Sequence, residues 1–259
     1  MSKLHKRMME KVGNLRYGQP LSSTVNGKLP ENCPRKGMAE AMLHAWKLFG
    51  DKNAVIVFMN QPELFPVCHF EQLQFIQVSV RVGRFSTLCL NENDYIMYAD
   101  GRKVALIHMA YGYLPEHFPS EKEWNIRYDM ERSKTILSPN IRLSLSGTKK
   151  IQQVLAKPGV IERFLPGQTE KIALLRSTFT GLWGLEEDND EIRACPRKYV
   201  MKAQLGAGKG NYFDDQMANM LSRMSVKERG AYILQQKIWP VVAKNYMKRP
   251  FEKPTLEDI

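Results

Sequence analysis

Apolar positions along this chain alternate between helix-type and strand-type patterns. Apolar residues three and four apart predict a helix over 36–49, and the continuous apolar run 54–59 predicts a buried parallel strand. The pattern predicts another strand over 84–90, and two apolar runs around Asp100-Gly101 predict a β-hairpin within 94–109. Helices that alternate with strands in this way indicate an α/β protein.

Helical patterns dominate much of the remaining sequence. One helix is predicted over 146–157, with Ser146 as a capping-type residue and Pro158-Gly159 as the stop signal. Further helices are predicted over 4–12 and 69–80, from Ser120 onward, and over 160–164 and 169–179. The acidic run 186–191 is expected to be a solvated linker, and no regular structure is expected beyond 250. We expect three segments: a helical segment over 1–52, an α/β unit over 53–140 and a segment over 141–259.

The stretch from 198 to 238 is the most informative part of the chain. An apolar strand ends at Lys202 and leads into a glycine-rich loop, and a helix over 213–223 and a second strand over 231–238 follow. This order can build a nucleotide site. The lysine can face the phosphates, the N–H groups of the loop can surround them, and the second strand can border the base.

The glycine-rich loop does not match a Walker A motif. That motif needs Gly and then Ser or Thr at the positions that Ala203 and Gly210 hold in this chain. We therefore expect a phosphate-covering loop between two antiparallel strands. A plain glycine-rich turn remains the alternative.

Composition narrows the classes of partner. The 259 residues carry a net charge of +11, which suits small anions such as nucleotides and carboxylates. The basic residues are spread along the chain, and no nucleic-acid-binding signature, membrane-length apolar run or signal peptide is apparent. We expect no nucleic-acid or membrane partner. The four cysteines lack pair spacing and indicate reduced thiols in a cytoplasmic protein, and the five histidines show no metal-ligand spacing.

Several ordered motifs resemble those of one enzyme family. Val200-Met-Lys-Ala-Gln204, the glycine-rich loop and Tyr232-Ile-Leu-Gln-Gln-Lys-Ile238 are similar to the ATP-grasp segment of eukaryotic-type glutathione synthetase. Upstream, Ser146-Gly-Thr-Lys-Lys-Ile-Gln-Gln153 resembles the family's Ala-Gly-Thr-Lys-Lys-Val-Gln-Gln helix, and Gly112-Tyr-Leu-Pro115 resembles its Gly-Tyr-Met-Pro turn. The resemblance covers roughly residues 4–250.

This resemblance implies an α/β, partial ATP-grasp-type fold with an inserted parallel-sheet substrate-binding unit. Residues 53–140 would be the substrate-binding unit, and residues 141–259 the ATP-grasp and lid segment. It implies an ATP-dependent ligase that joins γ-glutamylcysteine and glycine in glutathione biosynthesis. In the family, ATP is used together with Mg²⁺, and the protein is a homodimer. These properties are expectations for the present chain.

The resemblance also assigns residues to ligands. Lys149 and Lys202 would contact the phosphates of ATP. The remaining ATP positions are Gln204, Gly208, Asn211 and Phe213 at the phosphate and lid region, and Gln235, Gln236, Lys237 and Ile238 along the adenine. The peptide substrate would contact Gln72, Gly112 and Tyr113. Lys149 as an exposed helix lysine and Tyr113 as a packed turn tyrosine are open alternatives.

Other positions depart from the family pattern. Gly206 stands where the family has a metal-binding Glu, and the two earlier metal ligands fall in an N-terminal region that we expect this chain to lack. Ala110-Tyr111 replaces an Arg-Asp pair, Leu205 replaces an Arg, and a basic residue and second glycine-rich loop expected near the C-terminus are missing. We therefore assign no metal ligand and no catalytic residue, and expect weak or no ligase activity.

Two further interpretations remain open. The chain is either a non-catalytic homologue that binds a nucleotide or a thiol peptide, or an incomplete gene product.

Overall fold

The structure is a computed structural model that describes residues 14, 34–60, 78–185, 195–204, 210–247 and 255–258. The chain divides into two compact units. The first unit comprises residues 1–140 and 243–259, and the second comprises residues 141–242. The helices predicted over 4–12 and most of 69–80, and the acidic run 186–191, lie outside the described residues. None of the described helices is long and apolar enough to cross a membrane.

The first unit is built on a mixed six-stranded sheet. Its elements are α1 Pro34–Phe49, β1 Val55–Met59, β2 Val80–Gly83, β3 Leu88–Asn91, β4 Ile96–Ala99, β5 Arg102–Met109, α2 Glu121–Arg132 and β6 Ile136–Ser138. The strand order is β2-β1-β5-β4-β3, and β6 pairs with β5. β1 runs parallel to both β2 and β5, and β5 runs parallel to β6, whereas β3 and β4 are antiparallel additions.

The apolar run 54–59 forms the buried parallel strand that the sequence predicts. All five residues of β1 are buried, and alternate side chains join different hydrophobic clusters. Val55, Val57 and Met59 pack on one face, while Ile56 and Phe58 pack with α1 on the other. A strand covered on both faces has no solvent side, which explains its continuous apolar sequence.

Turn and capping signals also place elements correctly. Asp100 and Gly101 adopt positive φ angles of 49° and 73° between β4 and β5, as a tight hairpin turn requires. Ser120 caps α2, because its hydroxyl accepts a hydrogen bond from the N–H of Lys122 while the Glu123 carboxylate accepts from the N–H of Ser120. The predicted hairpin and the helix predicted from Ser120 onward are both confirmed.

The strand predicted over 84–90 is only partly correct. Residues Phe85–Thr87 form a short 3₁₀ helix, and β3 begins at Leu88. The Thr87 hydroxyl both accepts from the N–H of Arg84, at 3.1 Å, and donates to its carbonyl oxygen, at 2.9 Å. These local bonds stabilise a turn where the apolar pattern alone favours an extended chain. Val80, predicted at the end of a helix, begins β2.

The second unit contains a four-stranded sheet flanked by helices. Its elements are α3 Ile141–Ser146, α4 Lys149–Ala156, α5 Val160–Phe164, α6 Thr169–Ser177, β7 Leu182–Gly184, β8 Tyr199–Ala203, β9 Asn211–Phe213, α7 Asp214–Arg223, α8 Val226–Arg229 and β10 Tyr232–Gln236. The sheet is antiparallel, in the order β7-β10-β8-β9. The two strands predicted around the glycine-rich loop, β8 and β10, are antiparallel, as expected, whereas β9 is a strand that the sequence pattern does not indicate.

Two boundaries in this unit differ from the sequence prediction. Ser146 is the last residue of α3, where its hydroxyl donates to the carbonyl oxygen of Leu143, and α4 begins after Thr148. The helix predicted from 213 begins at Asp214, because residues 211–213 pair with β8.

A last antiparallel pair joins β11 Lys244–Met247 to β12 Thr255–Asp258. The expectation of no regular structure beyond 250 is therefore wrong for residues 255–258.

Candidate functional site

The pairing of β8 with its neighbours brings several predicted ATP-binding residues onto one face of the sheet. Lys202 lies opposite Asn211, and Val200 lies opposite both Phe213 and Gln235. Directly paired residues, and residues two apart on a strand, point to the same side of a sheet. These five side chains consequently share one face, which we call the lysine face.

The opposite face of the same sheet is apolar. Tyr199 and Met201 of β8 and Leu234 of β10 form a hydrophobic cluster with the buried Met217 of α7. This face binds α7 and supplies the packing that stabilises the unit. The polar residues of β8 and β9 therefore have little part in that core, which is a common arrangement for a binding surface on a rigid element.

Lys149, the first residue of α4, belongs to the same electrostatic environment as Lys202. Partial burial lowers the pKa of Lys149, and the positive charge of Lys202 lowers it further. A helix N-terminus carries partial positive charge as well, so the position is unfavourable for a cation. A bound anion would relieve this repulsion, and phosphate is suited to lysines at a helix N-terminus.

Two amide side chains beside these lysines leave polar atoms unsatisfied. The Gln204 oxygen accepts a hydrogen bond from the backbone N–H of Lys150, at 3.1 Å. The buried Nε2 of Gln204 and the buried Oδ1 of Asn211 have no hydrogen-bond partner among the described residues. Buried polar atoms without partners are uncommon in proteins, and two of them belong to the side chains beside these lysines.

The segment predicted to border the adenine is already bonded to other parts of the unit. The backbone N–H of Gln236 donates to the carbonyl oxygen of Gly181, at 2.8 Å, and that of Lys237 donates to Lys198, at 2.7 Å. The side-chain oxygen of Gln236 also accepts from Thr180 and from the N–H of Gly181. These two backbone amides fix the end of β10 and are not available to a ligand. Ile238, which follows, is exposed.

Sequence reasoning missed the surroundings of the Lys237 side chain. Its Nζ lies 3.1 and 3.2 Å from the two carboxylate oxygens of Asp214 and 4.6 Å from the ring centre of Trp239. Asp214 has a φ of 46°, which is uncommon for a residue other than glycine. The pairing joins the start of α7 to the end of β10, and no local spacing signal indicates it.

The predicted peptide-substrate residues belong to the first unit. Gly112 has a φ of 90°, and a Cβ there would lie 2.8 Å from a methyl carbon of Met109, so only glycine fits. The N–H groups of Gly112 and Tyr113 donate to Nδ1 of His117, at 2.9 and 3.3 Å. The Tyr113 side chain is 64% exposed. Gln72, like Gly208 of the ATP set, lies outside the described residues.

A Mg²⁺ ion would find no ready-made cluster of protein ligands among the described residues. Within the described ranges, His, Cys, Asp and Glu form no group of three or more that could hold a metal ion. Lys149 and Lys202 are cations and suit phosphate oxygens rather than a metal. We therefore derive no step through a metal.

Comparison with known proteins identifies the family. The sequence matches the model of the eukaryotic glutathione synthase ATP-binding domain over residues 1–258. The chain belongs to this family. It is 34% identical to glutathione synthetase of Homo sapiens over 239 residues, which are 86% of this chain and 50% of that protein.

A plant relative and a solved structure extend the comparison. The chain is 34% identical to the chloroplastic glutathione synthetase of Solanum lycopersicum over 263 residues, covering 96% of this chain and 47% of that protein. It therefore spans about half the length of the curated relatives that it matches. A glutathione synthetase-like effector from Globodera pallida, solved in its apo form, has a TM-score of 0.70 at 23% identity, covering 98% of this chain and 55% of that one. This likeness and the family match confirm the predicted α/β, ATP-grasp-type fold class.

Proposed function

We propose that the second unit binds ATP through the lysine face, with Lys149 and Lys202 holding the phosphates. We further propose that the chain supplies this nucleotide site to an ATP-dependent ligase that joins γ-glutamylcysteine and glycine in glutathione biosynthesis. The observation that carries the proposal is the pair of mutually repelling lysines beside two buried amide atoms, Gln204 Nε2 and Asn211 Oδ1, that have no partner among the described residues. The name of the matched family domain supports ATP as the anion.

The chemistry of such a ligase depends on how the phosphates are held. ATP phosphorylates the carboxylate of γ-glutamylcysteine, and the amine of glycine then attacks the acyl phosphate and releases phosphate. Negative charge moves between phosphate oxygens during the transfer, and two fixed ammonium groups stabilise it by position and charge. The lysines have a defined place, because one begins a helix and the other lies on a strand paired on both sides.

Binding of ATP, measured by isothermal titration calorimetry with and without Mg²⁺, tests the site. Lys202→Met should weaken binding by about 10- to 150-fold, because a hydrogen bond to a charged group contributes about 1.5–3 kcal/mol. Lys198→Met is the matched control, since Lys198 is an exposed lysine just before the same strand. Equal affinities in the wild type and Lys202→Met would contradict the proposed site.

One observation favours a second candidate, a non-catalytic homologue that binds a nucleotide or thiol peptide. Tyr111 replaces part of the Arg-Asp pair expected from the resemblance, and its ring stacks on His117 with 4.0 Å between ring centres. A guanidinium that could bind a substrate carboxylate is therefore missing from that turn. Release of phosphate from ATP that requires both γ-glutamylcysteine and glycine would support the ligase. ATP binding without such release would support the second candidate.

A further inference from the structure

The N-terminus of α4 lacks the cap that its own sequence could provide. Thr148 occupies the N-cap position, but its hydroxyl donates to the carbonyl oxygen of Leu145, at 2.8 Å, and makes no capping bond. The first N–H groups of a helix have no partner within the helix, so another part of the protein must satisfy them. Lys150, the second residue of α4, presents one such N–H group.

The missing cap is supplied from the sheet. Gln204 directly follows β8, and its side-chain oxygen accepts the hydrogen bond from the N–H of Lys150 across 54 positions of sequence. Gln204 also lies at the base of the glycine-rich loop, where the N–H of Ala203 donates to the carbonyl oxygen of Gly210, at 3.0 Å. A single side chain thus connects the start of α4 to the strand that carries Lys202.

We propose that Gln204 is a positioning residue, which caps α4 from the sheet and thereby holds Lys149 next to Lys202. Lys149 directly precedes Lys150, whose N–H group is capped. Lys202 lies on β8, two residues before Gln204. The cap therefore opposes the repulsion between the two ammonium groups. The positioning role depends on the proposed function in one respect: the anion that the two lysines hold is a nucleotide phosphate.

Gln204→Met tests the role, because methionine keeps the length of the side chain and removes the acceptor. We expect the Lys149 pKa, followed by NMR of ¹³C-labelled lysine and assigned with Lys149→Arg, to rise toward its ordinary value as the lysines separate. ATP affinity should fall by about tenfold, the scale of a lost helix cap. Gln152→Met, at an exposed position of the same helix, should change neither quantity.

The Lys149 pKa and the ATP affinity test the positioning role of Gln204 separately from the proposed binding of ATP. If Gln204→Met melts earlier but leaves the Lys149 pKa and the ATP affinity unchanged, Gln204 is only structural and the inference is wrong. If the wild type does not bind ATP, the proposed function fails, whereas a shifted Lys149 pKa in Gln204→Met still supports the positioning role. Should Gln204→Met not fold, Gln204→Asn, one methylene shorter, should give the same changes at smaller size, and unchanged values there would overturn the inference.

Discussion

Thr135 of the first unit and the amide side chains of Gln204 and Asn211 in the second unit differ in how their buried polar atoms are paired. In the first unit, the buried Thr135 donates to the carbonyl oxygen of Val104, at 2.8 Å, and accepts from the N–H of Met97, at 3.0 Å. In the second unit, Gln204 and Asn211 each keep a buried polar atom without a partner among the described residues. The hydroxyl of Thr135 is fully paired, whereas within the described ranges the amide groups of Gln204 and Asn211 are not.

This difference distinguishes buried polar groups that stabilise the fold from buried polar groups that can bind a ligand. A buried polar group with both bonds made joins elements that are distant in sequence and contributes to folding. A buried polar atom without a partner costs folding free energy, and such a cost is typical of groups arranged for a ligand. The unsatisfied atoms of Gln204 and Asn211 lie beside Lys149 and Lys202, and this combination with two cations is why we assign the ligand to that place.

The largest expected effect comes from removing the two hydrogen bonds of the Thr135 hydroxyl. Thr135→Val keeps the shape of the side chain but leaves the Val104 carbonyl and the Met97 N–H buried without their partner. The free energy of unfolding should fall by about 2–4 kcal/mol, measured by urea denaturation. Ser86→Ala, at an exposed position of the same unit, should change it by less than about 0.5 kcal/mol. An equally small loss for Thr135→Val would remove the distinction between Thr135 and the amide side chains of Gln204 and Asn211.

Local signals in the sequence account for much of the fold. The apolar run of β1, the Asp100-Gly101 turn and the capping at Ser120 each act within a few residues and place their elements correctly. The prediction failed at Ser146 for a tertiary reason. Ser146 has the chemistry of a helix cap, but α4 begins after Thr148, and Gln204 caps it from far along the chain.

The candidate site shows the same limit. The pattern around the glycine-rich loop predicts the two strands that pair as β8 and β10, but not β9, which places Asn211 opposite Lys202. The partners of Gln204 and Lys237 lie on other elements and are decided by how helices pack on the sheet. No periodicity or spacing in the sequence carries that information.

A smaller effect should follow from replacing the buried amide of Asn211 with an apolar side chain. Asn211→Leu removes the buried Oδ1 that has no partner in the described part of the chain. We expect stability to stay unchanged or to rise by about 1 kcal/mol, since an apolar group no longer carries the desolvation cost. The same variant should bind ATP more weakly than the wild type in calorimetry.

Stability and affinity would thus change in opposite directions at Asn211. A clear destabilisation by Asn211→Leu, comparable with that of Thr135→Val, would mean that Asn211 serves the fold. The assignment of the lysine face as a binding surface would then lose one of its supports.

The smallest expected effect is a pH dependence of stability. It separates the two causes of the lowered Lys149 pKa, which are its partial burial and the charge of Lys202. Because its pKa is lowered from 10.5 in the folded protein, the folded state binds fewer protons than the unfolded state between the lowered value and 10.5. Stability should therefore rise with pH in that window, by less than about 1 kcal/mol for a partly exposed group.

Urea denaturation at pH 7–10.5 should show a steeper rise for the wild type than for Lys149→Met, with Gln152→Met as the control. Lys202→Met should reduce the rise without abolishing it, because it removes the neighbouring charge but leaves Lys149 partly buried. An unchanged rise in Lys202→Met would show that the two ammonium groups do not interact, and the lysine face would lose its strongest argument.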